Sequence, residues 1–244
     1  MARYADWTSL STAVGSRVTT VGYICAESNL VCHALHELFH PIRTAALSGE
    51  EGESVPQKLV AVRFLENIYT MQKTLLTFVD DIYEDLELWY PKLRLEEAGF
   101  GMRVAGPELK TYSGKHGYPA TADALISEMN SRDFCGLLVP GGFMPDKLRR
   151  EAKVLSLTRE FFEQGKLVAF ICHGGWIPIS ARILKGKRVT GSRGIKDDLE
   201  NAGGIWVDEP VVIDGNLISS RTPRDLAPFA KAMVDFLNKE SRKA

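Results

Sequence analysis

The chain has 244 residues, 45% of them hydrophobic and 25% charged, with 30 basic against 31 acidic side chains and a formal net charge of -1. That balance leaves no electrostatic footprint for nucleic acid, and no apolar run is long enough to cross a bilayer. The length suits one large domain, or one domain with a substantial extension, around a sizeable buried core.

Residues 1–20 are polar and interrupted by Arg3, Asp6 and Arg17, unlike a signal peptide. The four cysteines, Cys25, Cys32, Cys135 and Cys172, show no tight pairing pattern. They read as free thiols in a reducing compartment, so a cytoplasmic protein is expected. Arg17 to Cys25 is β-branched enough for a strand, and Leu30 to His40 has a helical pattern that Pro41 interrupts. Within it, His36, Glu37 and His40 fit HExxH, a spacing that puts both histidines on one helix face. No third ligand follows at a zincin-like distance, so the expectation is an amphipathic helix with no metal and no cofactor. Residues 48–56 form an acidic, glycine-containing connector. Gln57 to Thr70 then sets Leu59, Val62, Leu65 and Ile68 at helical spacing. A seam near Met71 to Lys73 divides an N-terminal extension, residues 1–71, from a main domain, residues 72–244. The extension is expected to pack on that domain or on a neighbouring subunit.

Beyond the seam, strand and helix patterns alternate. Thr74 to Val79 reads as a buried strand, Asp85 to Ala98 as a helix, Met102 to Ala105 as a short strand and Phe134 to Val139 as another apolar strand. Asp146 to Gly165 reads as one long charged helix closed by Gly165. Leu167 to Ile171 is a continuous apolar strand, followed by a helix over Trp176 to Leu184. Val211 to Ser220 is a hairpin around Asp214-Gly215, and Asp225 to Asn238 is the closing helix. Apolar strands separated by helices predict an α/β fold with a mostly parallel sheet sandwiched by helices.

Three segments carry chemistry. In LVAFICHGGW, Leu167 to Trp176, a buried strand runs into a small-residue turn and a helix start. This is the layout of a nucleophile elbow with cysteine in place of serine. Helix-start N–H groups and their partial positive charge favour a thiolate there. The residues alone leave this reading level with a buried structural cysteine. In Leu137 to Gly142 a strand ends in a turn whose N–H groups suit an oxyanion, or in an ordinary loop. Asp80 to Glu87 is an acidic stretch after the first strand. It is either a source of carboxylates for the site or a solvated helix start.

The segments YEDLELWYP (Tyr83 to Pro91), GKHGY (Gly114 to Tyr118), VPGG (Val139 to Gly142) and ICHGGW (Ile171 to Trp176) occur in this order. IKDDLENAGG (Ile195 to Gly204), WVDEPVVIDGNLISSRTP (Trp206 to Pro223) and Asp225-Leu226 follow. From about Lys73 to Leu237 the chain therefore resembles the PfpI branch of the ThiJ/PfpI superfamily, itself similar to class I glutamine amidotransferase domains. The resemblance implies a flavodoxin-like, class I glutamine amidotransferase-like fold. Cys172 matches the nucleophile, His173 the histidine after it, Glu87 the carboxyl group that contacts the thiol and Glu84 a second acidic position. The N–H groups of Gly142 and His173 match the oxyanion site. Asp146 matches a carboxylate that reaches the histidine of an adjacent subunit, one methylene shorter than the glutamate often found there.

Two departures stand out. Gly175 replaces a proline, and Gly191-Ser192-Arg193-Gly194 lacks an aromatic residue that relatives place before IKDD. Arg193, with Gly141 and Trp176, is expected to line the substrate pocket and to favour a carboxylate or phosphate near the reacting group. The expected activity is a cysteine-dependent hydrolase of electrophilic carbonyl substrates, glyoxalase- or deglycase-like, acting through a Cys172 thiolate. The alternatives are an intracellular PfpI-type peptidase, a redox-sensing stress protein whose exposed cysteine oxidises readily, and a specialised biosynthetic enzyme. The expected partners are a small-molecule carbonyl or peptide substrate and further copies of the chain, as a homodimer or higher homo-oligomer. Neither nucleic acid nor membrane is expected as a partner.

Overall fold

The computed structural model describes residues 73–242. The extension over residues 1–71, with its HExxH pattern, Cys25 and Cys32, lies outside the described residues, as does the proposed domain division there.

The strand patterns resolve into β1 (Thr74–Phe78), β2 (Gly101–Gly106), β3 (Thr111–Ser113), β4 (Pro119–Thr121), β5 (Ala124–Leu125), β6 (Gly136–Val139), β7 (Leu167–Ile171), β8 (Arg188–Val189), β9 (Ile205–Trp206), β10 (Val211–Asp214) and β11 (Leu217–Ser220). The helices are α1 (Asp85–Glu97), α2 (Met144–Leu148), α3 (Ala152–Glu163), α4 (Trp176–Ser180), α5 (Lys196–Asn201) and α6 (Leu226–Ser241). A seven-stranded sheet has the order β10-β11-β7-β6-β1-β2-β5. Every pairing in it is parallel except β10 with β11. The fold is the mostly parallel sheet between helices that the alternating pattern implies, of the flavodoxin-like class that the resemblance implies.

The sheet centre explains the continuous apolar runs. All residues of β6 and β7 are buried, because helices cover both faces. The crossover from β1 to β2 through α1 runs toward one edge, and that from β6 to β7 through α3 toward the other. Right-handed crossovers therefore set α1 and α3 on opposite faces. The reversal falls between β1 and β6, where open α/β sheets leave a crevice at the strand carboxyl ends. The loops after β1, β6 and β7 all reach it.

Several elements differ from the sequence pattern. The expected helix over Asp146 to Gly165 is two helices, α2 and α3, broken at Glu151, whose backbone is extended (φ -85°, ψ 117°). The cause is phase. Met144 and Leu148 are buried on α2, and Val154, Leu157 and Phe161 on α3. Leu148 and Val154 lie six residues apart, so a single straight helix would turn one stripe well away from the other. The helix expected over Trp176 to Leu184 stops at Ser180, and Arg182 has φ 60°. The hairpin forms, with Asp214 paired to Leu217 and Gly215 at φ 65°, so its turn residues are Gly215-Asn216, one position later than expected.

Candidate active site

The loop after β1 carries Ile82 at φ 68°, a costly conformation for a β-branched residue that marks a constrained turn. It is stitched to the loop after β6. Phe143 donates its N–H to the Ile82 carbonyl at 2.8 Å and Glu84 donates to the Gly141 carbonyl at 3.1 Å. Gly142 sits at φ 82°, and a Cβ there would fall 2.4 Å from the Ile82 carbonyl oxygen. Only glycine tolerates both the conformation and the approach. Among the described residues no acceptor takes the Gly142 N–H. These stitches fix the start of α1, where Glu84 precedes the first turn and Glu87 lies inside it, both buried.

A third strip of chain closes the rim. β3 and β4 form a hairpin whose turn is Gly114 to Tyr118. Asp85 holds this turn: its Oδ1 accepts the Tyr118 N–H at 2.8 Å and its Oδ2 accepts the His116 N–H at 2.9 Å. Tyr83 adds a bond from its hydroxyl to the Tyr118 carbonyl at 2.6 Å. Asp85→Asn preserves shape but turns one acceptor into a donor facing an N–H. Losing one charge-assisted bond at a buried site costs about 2 kcal/mol, or about 4–8 °C of melting temperature at this chain size. An unchanged thermal midpoint for that variant would show that the carboxylate does not hold the turn.

Cys172 lies at the carboxyl end of β7 with φ 58°, a strained left-handed conformation for a residue other than glycine. A 3-10 turn over Cys172–Gly175 leads into α4. The Cys172 Sγ is 3.2 Å from His173 Nδ1. Beside it stands Glu87, whose Oε2 accepts the Gly141 N–H at 2.8 Å. Glu87 Oε1 is buried without a hydrogen bond of good geometry, and the side chain interacting with the carboxyl group is Cys172.

The electrostatics correct one expectation. A helix dipole was expected to lower the thiol, but α4 has only five residues, so its field at the sulfur is slight. Burial pushes Cys172 up to about 12, and the charge of Glu87 adds to that, against one lowering N–H from His173. Glu87 is itself raised to about 8, first by burial, with the Gly141 N–H opposing and Glu84 adding to the rise. At neutral pH the carboxyl group therefore keeps its proton. A neutral Glu87 removes its own charge from beside the thiol, while burial, the larger cause, still holds the thiol up. A protonated carboxyl group opposes a thiolate less than an ionised one. His173 is lowered by burial and then by Lys115, so it is neutral.

The other expected residues are distributed around this core. Gly141 contributes its N–H to Glu87. Trp176 sets its ring 5.0 Å from that of His173, and its Nε1 donates to Asp198 at 2.9 Å. Asp146 pairs with Arg150 of its own chain. Arg193 is 84% exposed and pairs at 2.9 Å with Asp208, which also holds Arg221 at 2.8 Å. Gly175 has a packing reason: a Cβ there would lie 2.9 Å from Ile195 Cδ1, so a proline ring would displace that side chain. A Cβ at Gly194 would lie 3.4 Å from His173 Nε2, so the missing aromatic residue leaves that side of the imidazole open.

Lys115 and His116 had no assigned role, although GKHGY stood out in the sequence. Lys115 Nζ is 3.4 Å from Glu84 and His116 Nε2 is 3.7 Å from it. Glu84, Asp85 and His116 each bring a ligand atom within 4.8 Å of the others. Both Asp85 oxygens are bonded to backbone N–H groups, and Glu84 is paired, so the cluster is satisfied as a polar network.

The sequence profile described as the DJ-1/PfpI family matches residues 73–236. A deglycase from Pyrococcus horikoshii is 45% identical over 155 residues, covering 64% of this chain and 93% of that protein. Deglycase PfpI from Pyrococcus furiosus is 44% identical over 155 residues, again covering 64% and 93%. A two-domain crystal structure from Anabaena variabilis, with DJ-1/ThiJ/PfpI-like and ferritin-like domains, superposes with a TM-score of 0.67 at 39% identity. The match covers 68% of this chain and 48% of that one. Among the described residues no helix is long and apolar enough to cross a membrane.

Proposed function

The chain belongs to the DJ-1/PfpI family, and from that premise we propose that it is a cysteine-dependent hydrolase of α-oxoaldehydes and of the adducts they form with amines and thiols. The observation that carries the proposal is the sulfur of Cys172, set at φ 58° with His173 Nδ1 at 3.2 Å and beside the buried Glu87, whose carboxyl group is raised to about 8. A neutral acid beside the sulfur supplies a proton donor for a thiolate formed as the substrate is attacked, without a permanent cation in contact with it. The relatives named deglycase agree with that chemistry.

In this reading the Cys172 sulfur bonds to the carbonyl carbon of the adduct, and the carbonyl π pair moves to oxygen. The N–H groups of Gly142 and His173 receive that oxygen, in the manner of an oxyanion site. Glu87, protonated before attack, and His173, neutral, move the protons. The amine or thiol leaves the neighbouring carbon carrying a proton, which exposes an aldehyde there. Water adds to that aldehyde, and a hydride moves from it to the carbon that holds the sulfur as the carbon–sulfur bond breaks and the sulfur takes the bond pair. The first carbon becomes the carboxylate and the second the alcohol. For a methylglyoxal adduct the net change is adduct plus water giving free amine or thiol plus lactate, with no external oxidant or reductant. Asp146 is assigned to the histidine of an adjacent subunit in a homodimer or larger homo-oligomer.

The test is direct. The purified chain is incubated with the methylglyoxal adduct of N-acetylcysteine and with fluorogenic peptides. Lactate and free thiol should appear in equal amounts, with no peptide cleavage. Peptide cleavage without lactate would replace this reading with a peptidase.

A further inference from the structure

We propose that Lys115, at the tip of the β3–β4 hairpin, is the cation that selects anionic substrates at Cys172, and that Arg193 does not perform that task. The proposal deepens the hydrolase reading and rests on it for the identity of the natural substrate.

The two cations sit differently. Arg193 pairs with Asp208, and the same carboxylate also serves Arg221, which pairs in turn with Asp225. Two arginines and two aspartates thus cancel at the surface. Neither arginine is among the groups that perturb Cys172, His173 or Glu87. Lys115 is held by its backbone: its N–H donates to the Tyr83 carbonyl at 2.8 Å, and the flanking turn is clamped by Asp85. Its side chain is anchored at 3.4 Å from one oxygen of Glu84 yet remains 53% exposed. An ammonium has three donors, so that single anchor leaves others free to meet a ligand.

Its position relative to the sulfur follows from its anchors. Tyr83 bridges Gly114 of the hairpin turn on one side and Gly142 of the loop after β6 on the other, and a Cβ at the adjoining Gly141 would lie 2.9 Å from Cys172 Cβ. Lys115, bonded to the Tyr83 carbonyl and anchored on Glu84, therefore stands on the rim next to the loop that touches Cys172. Its charge also acts on Glu87 and His173. The open side of His173 at Gly194 leaves a bulky substrate room beside the imidazole. A substrate whose carboxylate lies a few bonds from the reactive carbonyl can reach the ammonium while that carbonyl meets the sulfur. The fitting class is an oxoaldehyde adduct of an amino acid or of another small carboxylate-bearing amine or thiol.

Alkylation of Cys172 by iodoacetate and by iodoacetamide tests the placement of the charge without requiring turnover. The two reagents attack the same sulfur and differ by one negative charge. Any change in the thiolate fraction cancels in the ratio of their rates. The reaction is followed on the peptide that contains Cys172, in the full chain. Lys115→Met should lower the iodoacetate-to-iodoacetamide ratio about five-fold, the scale of one screened charge near the sulfur. Arg193→Met should leave the ratio unchanged. Salt should shrink the wild-type preference and have little effect in Lys115→Met.

Turnover then reads the substrate class. Lys115→Met should raise KM for the methylglyoxal adduct of N-acetylcysteine about five-fold. The uncharged adduct of N-acetylcysteamine lacks the carboxylate, so any effect of the lost cation on Glu87 and His173 falls on both adducts alike, and the ratio of kcat/KM for the charged adduct to that for the uncharged one should fall about five-fold. A ratio unchanged in Lys115→Met, or lost in Arg193→Met instead, overturns the proposal. If the ratio falls as expected but neither adduct is turned over, the charge assignment stands and the hydrolase reading fails.

Discussion

Cys172→Ser lowers adduct turnover by on the order of 10³-fold or more, with the thermal midpoint close to that of the wild type. The fold should survive because serine is nearly the same shape and carries the same Cβ through the φ of 58° that the elbow imposes. The chemistry should fail because the site is arranged for a sulfur. A hydroxyl is a far weaker acid than a thiol. The groups beside it are a neutral imidazole and a carboxyl group that holds its own proton up to about 8. Neither is a base strong enough to generate an alkoxide at neutral pH. Cys135 supplies the control. It is raised to about 12 by burial, and its Sγ donates to the Thr74 carbonyl at 3.3 Å. Cys135→Ser should leave turnover intact, and iodoacetamide should modify the Cys172 peptide well before the Cys135 peptide. Lactate formation persisting in Cys172→Ser would move the chemistry away from the elbow.

The sequence carried the sheet for one physical reason and lost the rim for another. Strands buried on both faces, such as Leu167–Ile171, must be apolar at every position, and that pattern is visible without any partner. The order of the motifs then put Glu84 and Glu87, Gly141 and Gly142, and Cys172 at the ends of three strands. The topology brings those strands together as β1, β6 and β7. The β3–β4 hairpin and the β8–β9 pair escaped because strands of three and two residues are too short for any period to register. With the hairpin unseen, Lys115 had no location, and Arg193 looked like the available cation. The break at Glu151 was encoded in the six-residue step from Leu148 to Val154, but charged residues around it masked the shift in phase. The protonation of Glu87 depends on burial and on Glu84, neither of which a linear motif displays.

Glu87→Gln should cut turnover by about 10²-fold, the usual scale of a lost proton carrier, and should change how stability depends on pH. The substitution keeps the acceptor for the Gly141 N–H at 2.8 Å and sets an amide beside the sulfur, so shape and packing are retained. What disappears is the titration. In the unfolded chain a glutamate releases its proton near pH 4.3, at about its ordinary value. In the folded chain burial holds that release back to about 8. Between those limits the unfolded state binds fewer protons than the folded state, so stability falls as pH rises. The contribution is fully present below the lower limit, declines by at most about 1.4 kcal/mol per pH unit, and levels off once the folded carboxyl group has ionised. Other groups bend the wild-type curve as well, so the difference between wild type and variant isolates this one. Urea unfolding at closely spaced pH values should find Glu87→Gln gaining on the wild type from pH 5 to pH 8 and parallel to it above that range. The alkaline limb of the wild-type kcat/KM profile, where Glu87 ionises and its charge again raises the thiol, should be missing in whatever activity the variant retains. Parallel stability curves from pH 5 to pH 8 would mean that the carboxyl group is already ionised beside the sulfur. The thiolate would then have no neighbouring acid to support it.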